Sequence, residues 1–383
     1  MTPHQFIACP DDVIDVITKP RSLKFGSGSF TDDIKQSPTT ASSLSIAIEE
    51  LAIACPEKTS EPANSDKDGD KDYKTGVLYY IGTDVCRDYS KAIEYFLKAA
   101  EQNHPGAQCY LGCIYRKGRG VAIDYPQAAI WYRKAMLQGH SGGQHNLGRL
   151  YYYSDGVPQD YPKALELYLK SASQGDPSAC VSLGNMYYAG RGVPQNFSIA
   201  LGWYKLAADM GYSTAETQIG EMYHDGECVT KDHSIALKWF ILAANQDDPK
   251  AQGWIGKMYY YGHGVPVDYE KALEWSRKSA NKGYARAQER IGRMYYDGDG
   301  VMVDRQEAAM WFKKAAEQGK ASSQYKLGLM YEEGDGVAQD DFLAMEWYNK
   351  SGNQGNSLAQ ERLVEIQHKS ELTLTTSKRK QYH

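Results

Sequence analysis

The sequence lacks any apolar run of the length a membrane-spanning helix needs. It lacks a basic start followed by a long apolar core, so MTPHQFIACPDDVIDV does not read as a secretory signal. It lacks a positive balance: the net charge is −5, which excludes the broad basic field expected of a nucleic-acid binder. It has seven cysteines, with no CxxC and no regular spacing, so they read as reduced thiols of a cytosol-like compartment. Phenylalanine is scarce, at 8 residues, against 30 tyrosines. Hydrophobic residues at 42% and charged residues at 24% describe a folded, soluble chain.

What is present is a repeat. Gly76, Gly112, Gly148, Gly184, Gly220, Gly256, Gly292 and Gly328 stand 36 residues apart without insertion. Counted from each of these anchor glycines, Tyr always stands at +3, Val at +9 and Ala at +16. Position +12 is Asp except for Asn196, and +19 is Trp in six of the eight units. A turn glycine usually occupies +6, as in Gly262-His-Gly264. Small residues at −5, Leu or Ile at −1, an aliphatic at +2 and Tyr at +3 form one face of a helix. Glycine at +6 suits the residue that ends this helix, and Asp at +12 suits the N-cap of a second. Pro126 and Pro162 fall in the first turn of that second helix. Its buried stripe is Ala, Trp, an aromatic and Ala or Ser, at +16, +19, +20 and +23. A lone pair of helices about 13 residues long cannot bury such a stripe, whereas stacked pairs can. The tyrosine excess is then packing material.

The ends differ. Residues 1–67 read as a largely disordered N-terminal arm, with one amphipathic stretch at SLSIAIEELAIA. Residues 68–366 read as the repeat array, closed by SLAQERLVEIQ as a C-terminal capping helix, and 367–383 as a flexible tail. The glycine-rich turns are not phosphate loops, because no strand precedes them and no Lys-Ser/Thr follows.

The columns resemble the Sel-1-like repeat family of tetratricopeptide-like helical repeats, most cleanly in AQGWIGKMYYYGHGVPVDYEKALEWSRKSANKG (251–283). The resemblance covers about residues 71–366. It implies an all-α fold, a right-handed α/α solenoid of about eight 36-residue helix-turn-helix repeats. It also implies a non-enzymatic cytoplasmic adaptor or scaffold that needs no cofactor. Protein or peptide partners are expected, with no nucleic acid, no membrane insertion, no small-molecule substrate and no metal.

Two alternatives stay open. Secreted, cysteine-rich relatives resemble β-lactamase-type hydrolases, and Ser279-Ala-Asn-Lys282 with Lys74-Thr-Gly76 imitates two of that site's elements. NSDKDGDKDYKT (64–75) imitates a calcium loop, which would make a calcium-regulated adaptor, although Thr75 stands where the bidentate Glu belongs. A solvated acidic linker is the plainer reading. The nine histidines show no zinc-ligand spacing.

Partner recognition belongs to the variable columns −3, +1, +4 and +5 of the first helix. The resemblance implies that these line a concave groove. The candidate groove residues are Arg116, Arg149, Tyr152, Asn185, Tyr188, Glu221, His224, Lys257, Tyr260, Arg293 and Tyr296. Their Tyr and Arg content suits an extended peptide carrying acidic and apolar groups.

Overall fold

The computed structural model describes residues 67–82 and 84–366. The expected N-terminal arm, its amphipathic stretch and the tail lie outside these residues. Among the described residues there is no strand. The chain is an all-α repeat solenoid: α1 (Lys67–Ile81), α2 (Tyr89–Glu101), α3 (Pro105–Lys117), α4 (Tyr125–Leu137), α5 (Ser141–Tyr153), α6 (Tyr161–Ser173), α7 (Pro177–Ala189), α8 (Phe197–Asp209), α9 (Ser213–Asp225), α10 (His233–Asn245), α11 (Pro249–Tyr261), α12 (Tyr269–Asn281), α13 (Ala285–Asp297), α14 (Arg305–Glu317), α15 (Ala321–Glu333), α16 (Asp341–Gly352) and α17 (357–366). It divides into two compact units, the first ending at Ile219 and the second beginning at Gly220.

The repeat columns become structure in the same way each time. In the second helices, the +12 side chain accepts from the backbone N–H three residues on, as Asp124 does from Gln127 and Asn196 from Ile199. The first helices end on a left-handed residue, Gly118, Gly190, Gly262, Gly298 or Gly334. Ser154 takes the same conformation, with φ of 64°. The turn is then tied by the +12 backbone N–H, which donates to the carbonyl of the +3 tyrosine, as from Asp268 to Tyr259 at 3.0 Å.

Within the first unit, each of α1 to α8 packs on its chain neighbours, and α1, α3 and α5 also touch in succession. Within the second unit, α10 to α16 do the same, and α11 touches α13. The core is built from the −5, −1 and +2 positions of the first helices and the +16, +20 and +23 positions of the second. Ala107, Leu111 and Ile114 meet Ala92, Phe96 and Ala99, all with no exposure.

The anchor glycines exist for the +20 rings. A Cβ on Gly112 would lie 2.5 Å from the Tyr132 ring, and one on Gly184 would lie 2.4 Å from that of Tyr204. Such distances are well inside van der Waals contact, so the helix keeps glycine despite its cost of about 1 kcal/mol against Ala. The +3 tyrosines are only half buried, and pack against the edge of the core, as Tyr79, Tyr115 and Tyr259 do.

One expectation is corrected. Residues 67–75 belong to α1 and do not form a loop. Asp70 pairs with Lys74 one helical turn away, at 2.5 Å. A helix cannot wrap its carboxylates around a calcium ion as a loop does. Neither the calcium-loop reading nor the linker reading holds there.

Candidate functional site

The candidate groove residues do not stand as one free row. In the first unit, Arg116 is buried and its Nε donates to Tyr132 Oη at 3.4 Å. Tyr152 is buried and its Oη accepts from Arg191 at 3.4 Å. Asn185 accepts from Tyr204 Oη at 2.7 Å. Tyr188 sets its ring edge-on to Phe197, and Arg149 lies 5.7 Å from the Tyr153 ring centre. In the second unit, Glu221 accepts from Trp254 Nε1 at 2.7 Å and from Lys250 at 2.8 Å. Tyr296 has both Arg305 and Lys326 3.6 Å from its ring centre. These side chains hold neighbouring helices together, so the variable columns are partly structural.

Three of the candidates do meet. Lys257, Tyr260 and Arg293 line a cleft of about 230 Å³ in the second unit, together with Gly253, Trp254, Tyr261, Tyr284, Arg286, Glu289, Arg290 and Lys320. The cleft adjoins one departure in the repeat, through Gly253 and Arg290. At +20, where the other units bury Phe96, Tyr132, Tyr168, Tyr204, Phe240, Phe312 or Tyr348, this unit has Ser276. The anchor Gly256 is kept, but the ring that would lie against it is missing. The Arg290 guanidinium enters this space instead. It donates to Gly253 O at 2.8 Å and lies 3.3 Å from Ser276 Oγ. Gly253 is needed as well, since a Cβ there would lie 2.6 Å from the Tyr284 ring.

The electrostatics are one-sided. Five cationic side chains line the cleft, Lys257, Arg286, Arg290, Arg293 and Lys320, against one carboxylate, Glu289. Glu289 is 3.3 Å from Arg293 and 3.5 Å from Lys320. Burial pushes the Arg290 guanidinium down to about 10, still positive near neutrality, and holds the Lys257 ammonium below its ordinary value. Lys257 also lies 4.1 Å from the Trp254 ring centre, a cation–π contact. The cleft is thus a cationic, aromatic hollow in a chain of net charge −5. Such a lining attracts carboxylates and aromatic groups together.

His224 does not line the cleft. It is buried, and it meets His233 and His263, one nitrogen of each lying within 4.8 Å of the others. Sequence reasoning missed this group because the repeat length, rather than a local motif, sets its spacing. Ser279 is fully buried and donates to the carbonyl of Pro249 at 2.5 Å. Lys282 pairs with Asp247 at 2.7 Å. The imitation of a hydrolase motif therefore consists of a packing hydroxyl and a surface ion pair.

Sequence reasoning also missed Trp254, Arg286, Arg290 and Lys320, while Glu289 falls in the −3 column without having been singled out. One signal was available for the cleft: Ser276 is the only non-aromatic residue in the +20 column.

The family model of the Sel1 repeat matches the chain eight times, over residues 72–104, 105–140, 141–176, 177–212, 213–248, 249–284, 285–320 and 321–356. Among solved structures, a protective antigen of uropathogenic Escherichia coli strains displaying an SLR fold is 32% identical, with a TM-score of 0.52. That match covers 85% of this chain and 67% of the other. A Sel1 repeat protein from Oxalobacter formigenes is 30% identical with a TM-score of 0.56, covering 83% of this chain and 99% of that one. No curated protein matches the chain.

Proposed function

The chain belongs to the Sel1 repeat family, and from that premise we propose that it is a scaffold whose second unit binds an acidic, aromatic-containing peptide segment of a partner protein. Members of the family are generally protein-interaction scaffolds and typically non-catalytic. The observation that carries the reading is the cleft beside Ser276, lined by five cations and one carboxylate. Gly253, Lys257, Tyr260, Tyr261, Glu289 and Arg293 are the residues there that belong to the variable columns of the first helices. In a repeat array, constant columns pack and variable columns are left to recognise. Lys257 and Arg293 attract the carboxylates of the peptide, while Tyr261 and Tyr284 line the cleft for its apolar side chains; Trp254 is buried, stacked on Phe240 with Lys257 over its ring.

The test uses the full chain and a random glutamate–tyrosine copolymer as probe, followed by fluorescence anisotropy. Binding is expected to weaken with salt and to fall by about 30-fold or more in Lys257→Glu/Arg293→Glu, the loss of two charged contacts reversed in sign. A lysine–tyrosine copolymer should not bind. Equal binding by wild type and double variant would remove the cleft from the function.

A further inference from the structure

Three of the nine histidines converge in the second unit. His224 lies in the last turn of α9, His233 opens α10, and His263 stands in the turn after α11. His224 Nε2 and His263 Nδ1 are 3.3 Å apart. The rings of His233 and His263 stack at 4.9 Å and 11°, and that of His224 is 4.8 Å from His233. His224 Nδ1 is 2.7 Å from Asp225 Oδ1. An ionised carboxylate only accepts, so the imidazole carries its proton on Nδ1, and Nε2 keeps a lone pair turned towards His263. His233 Nδ1 is buried with no hydrogen-bond partner.

The same three repeat positions are filled elsewhere by groups that satisfy one another. Arg119 donates to Tyr80 Oη at 2.8 Å and lies over the rings of Tyr80 and Tyr89. Arg191 donates to Tyr152 Oη, against which Tyr161 sets its ring. Tyr260 donates to Asp299, with Tyr269 edge-on. Three imidazoles in these positions complete only part of such a set: His224 and His263 share one hydrogen bond, and His233 Nδ1 is left out. As neutral rings they leave a buried nitrogen unpaired, and as cations they repel one another. What they offer in common is lone-pair nitrogen.

We propose that His224, His233 and His263 bind a divalent transition metal, with Zn²⁺ the first candidate, and that the metal clamps two successive repeats of the second unit together. Imidazole nitrogen suits zinc, copper and nickel better than magnesium or calcium. Tetrahedral coordination with bonds of about 2.0–2.1 Å places ligand nitrogens about 3.3–3.4 Å apart. The His224–His263 pair already has that separation, and rotation of the His233 side chain brings in the third. Asp225 supplies the outer carboxylate that commonly orients a metal-binding imidazole. Three protein ligands leave a fourth position for water or for a group brought by a partner.

The test is calorimetric titration of the chelator-stripped full chain with ZnCl₂, with visible absorption on Co²⁺ loading as a report of coordination. The comparison is His233→Tyr/His263→Arg, which installs the side chains found at the equivalent Tyr161 and Arg191. One equivalent is expected to bind the wild type with Kd of about 10 µM or tighter, to raise its melting temperature, and to be lost in the double variant. His263→Arg alone serves if the double variant does not fold. Weaker wild-type binding, or the same stoichiometry and affinity in the variants, overturns the proposal.

Discussion

Replacing Ser276 by tyrosine tests the origin of the cleft. Every other unit buries a ring at this position against its anchor glycine, whereas beside Gly256 the Ser276 hydroxyl and the Arg290 guanidinium take that place. A tyrosine buries about 150–250 Å², a gross gain of about 4–6 kcal/mol at ~25 cal/mol/Å². Against this stands the loss of the Arg290 hydrogen bonds to Gly253 and Ser276, at about 1.5–3 kcal/mol each when a charged group is involved. The displaced guanidinium recovers water, so the cost falls at the low end. Fixing the ring costs a further ~1 kcal/mol. The expected balance runs from neutral to a gain of about 2 kcal/mol, together with loss of binding to the glutamate–tyrosine copolymer. The reverse exchange, Tyr204→Ser, leaves a cavity and removes the hydrogen bond to Asn185, and should cost about 3–5 kcal/mol. Urea denaturation followed by circular dichroism reads both. If Ser276→Tyr destabilises the protein as much as Tyr204→Ser does, the absent ring does not explain the cleft, and the reasoning fails. Unchanged copolymer binding in a stable Ser276→Tyr protein would refute the link between cleft and ligand.

Three further outcomes follow from the same packing. His140 caps α5 by accepting from the Gly143 N–H at 3.1 Å, and burial pushes its pKa down to about 4. With the folded value below the unfolded one near 6.5, its stabilisation is complete above pH 6.5 and is lost as pH falls towards 4, by about 3 kcal/mol at most. Hydrogen exchange at the start of α5 should rise across that window, and His140→Asn should abolish the dependence. Asp124→Ala removes the cap of α4 and should cost about 1 kcal/mol in urea denaturation, while Asp124→Ser should restore most of it. Gly184→Ala places a Cβ 2.4 Å from the Tyr204 ring. Overpacking by about 1–3 kcal/mol outweighs the helix-propensity gain of about 1 kcal/mol, so a net loss is expected. A more stable Gly184→Ala protein would show that the ring moves freely.

Much of the fold was legible because each repeat column serves one local purpose. An Asp cap, a left-handed glycine and an alternation of small and aromatic residues act within a few residues of themselves, and eight copies make the register unmistakable. The candidate site was legible only in part. Lys257, Tyr260 and Arg293 were visible as variable positions, and they do share a cleft. Arg116 and Tyr152 stand in the same columns yet are buried, because Arg116 packs on Tyr132 of its own repeat and Tyr152 on Arg191 of the next. Tyr152 is held by Arg191, 39 residues away.

By itself the sequence determined the unit: its two helices, their caps and turns, the buried stripe, and the glycine that each ring demands. These are local or periodic properties, and the chain states them repeatedly. Only the tertiary structure decided what lies between consecutive units. It placed Arg290 in the space left by Ser276, gathered five cations around one carboxylate, and brought His224, His233 and His263 together. Such groups meet across packed helices and not along the chain, so no spacing rule written on a single repeat contains them.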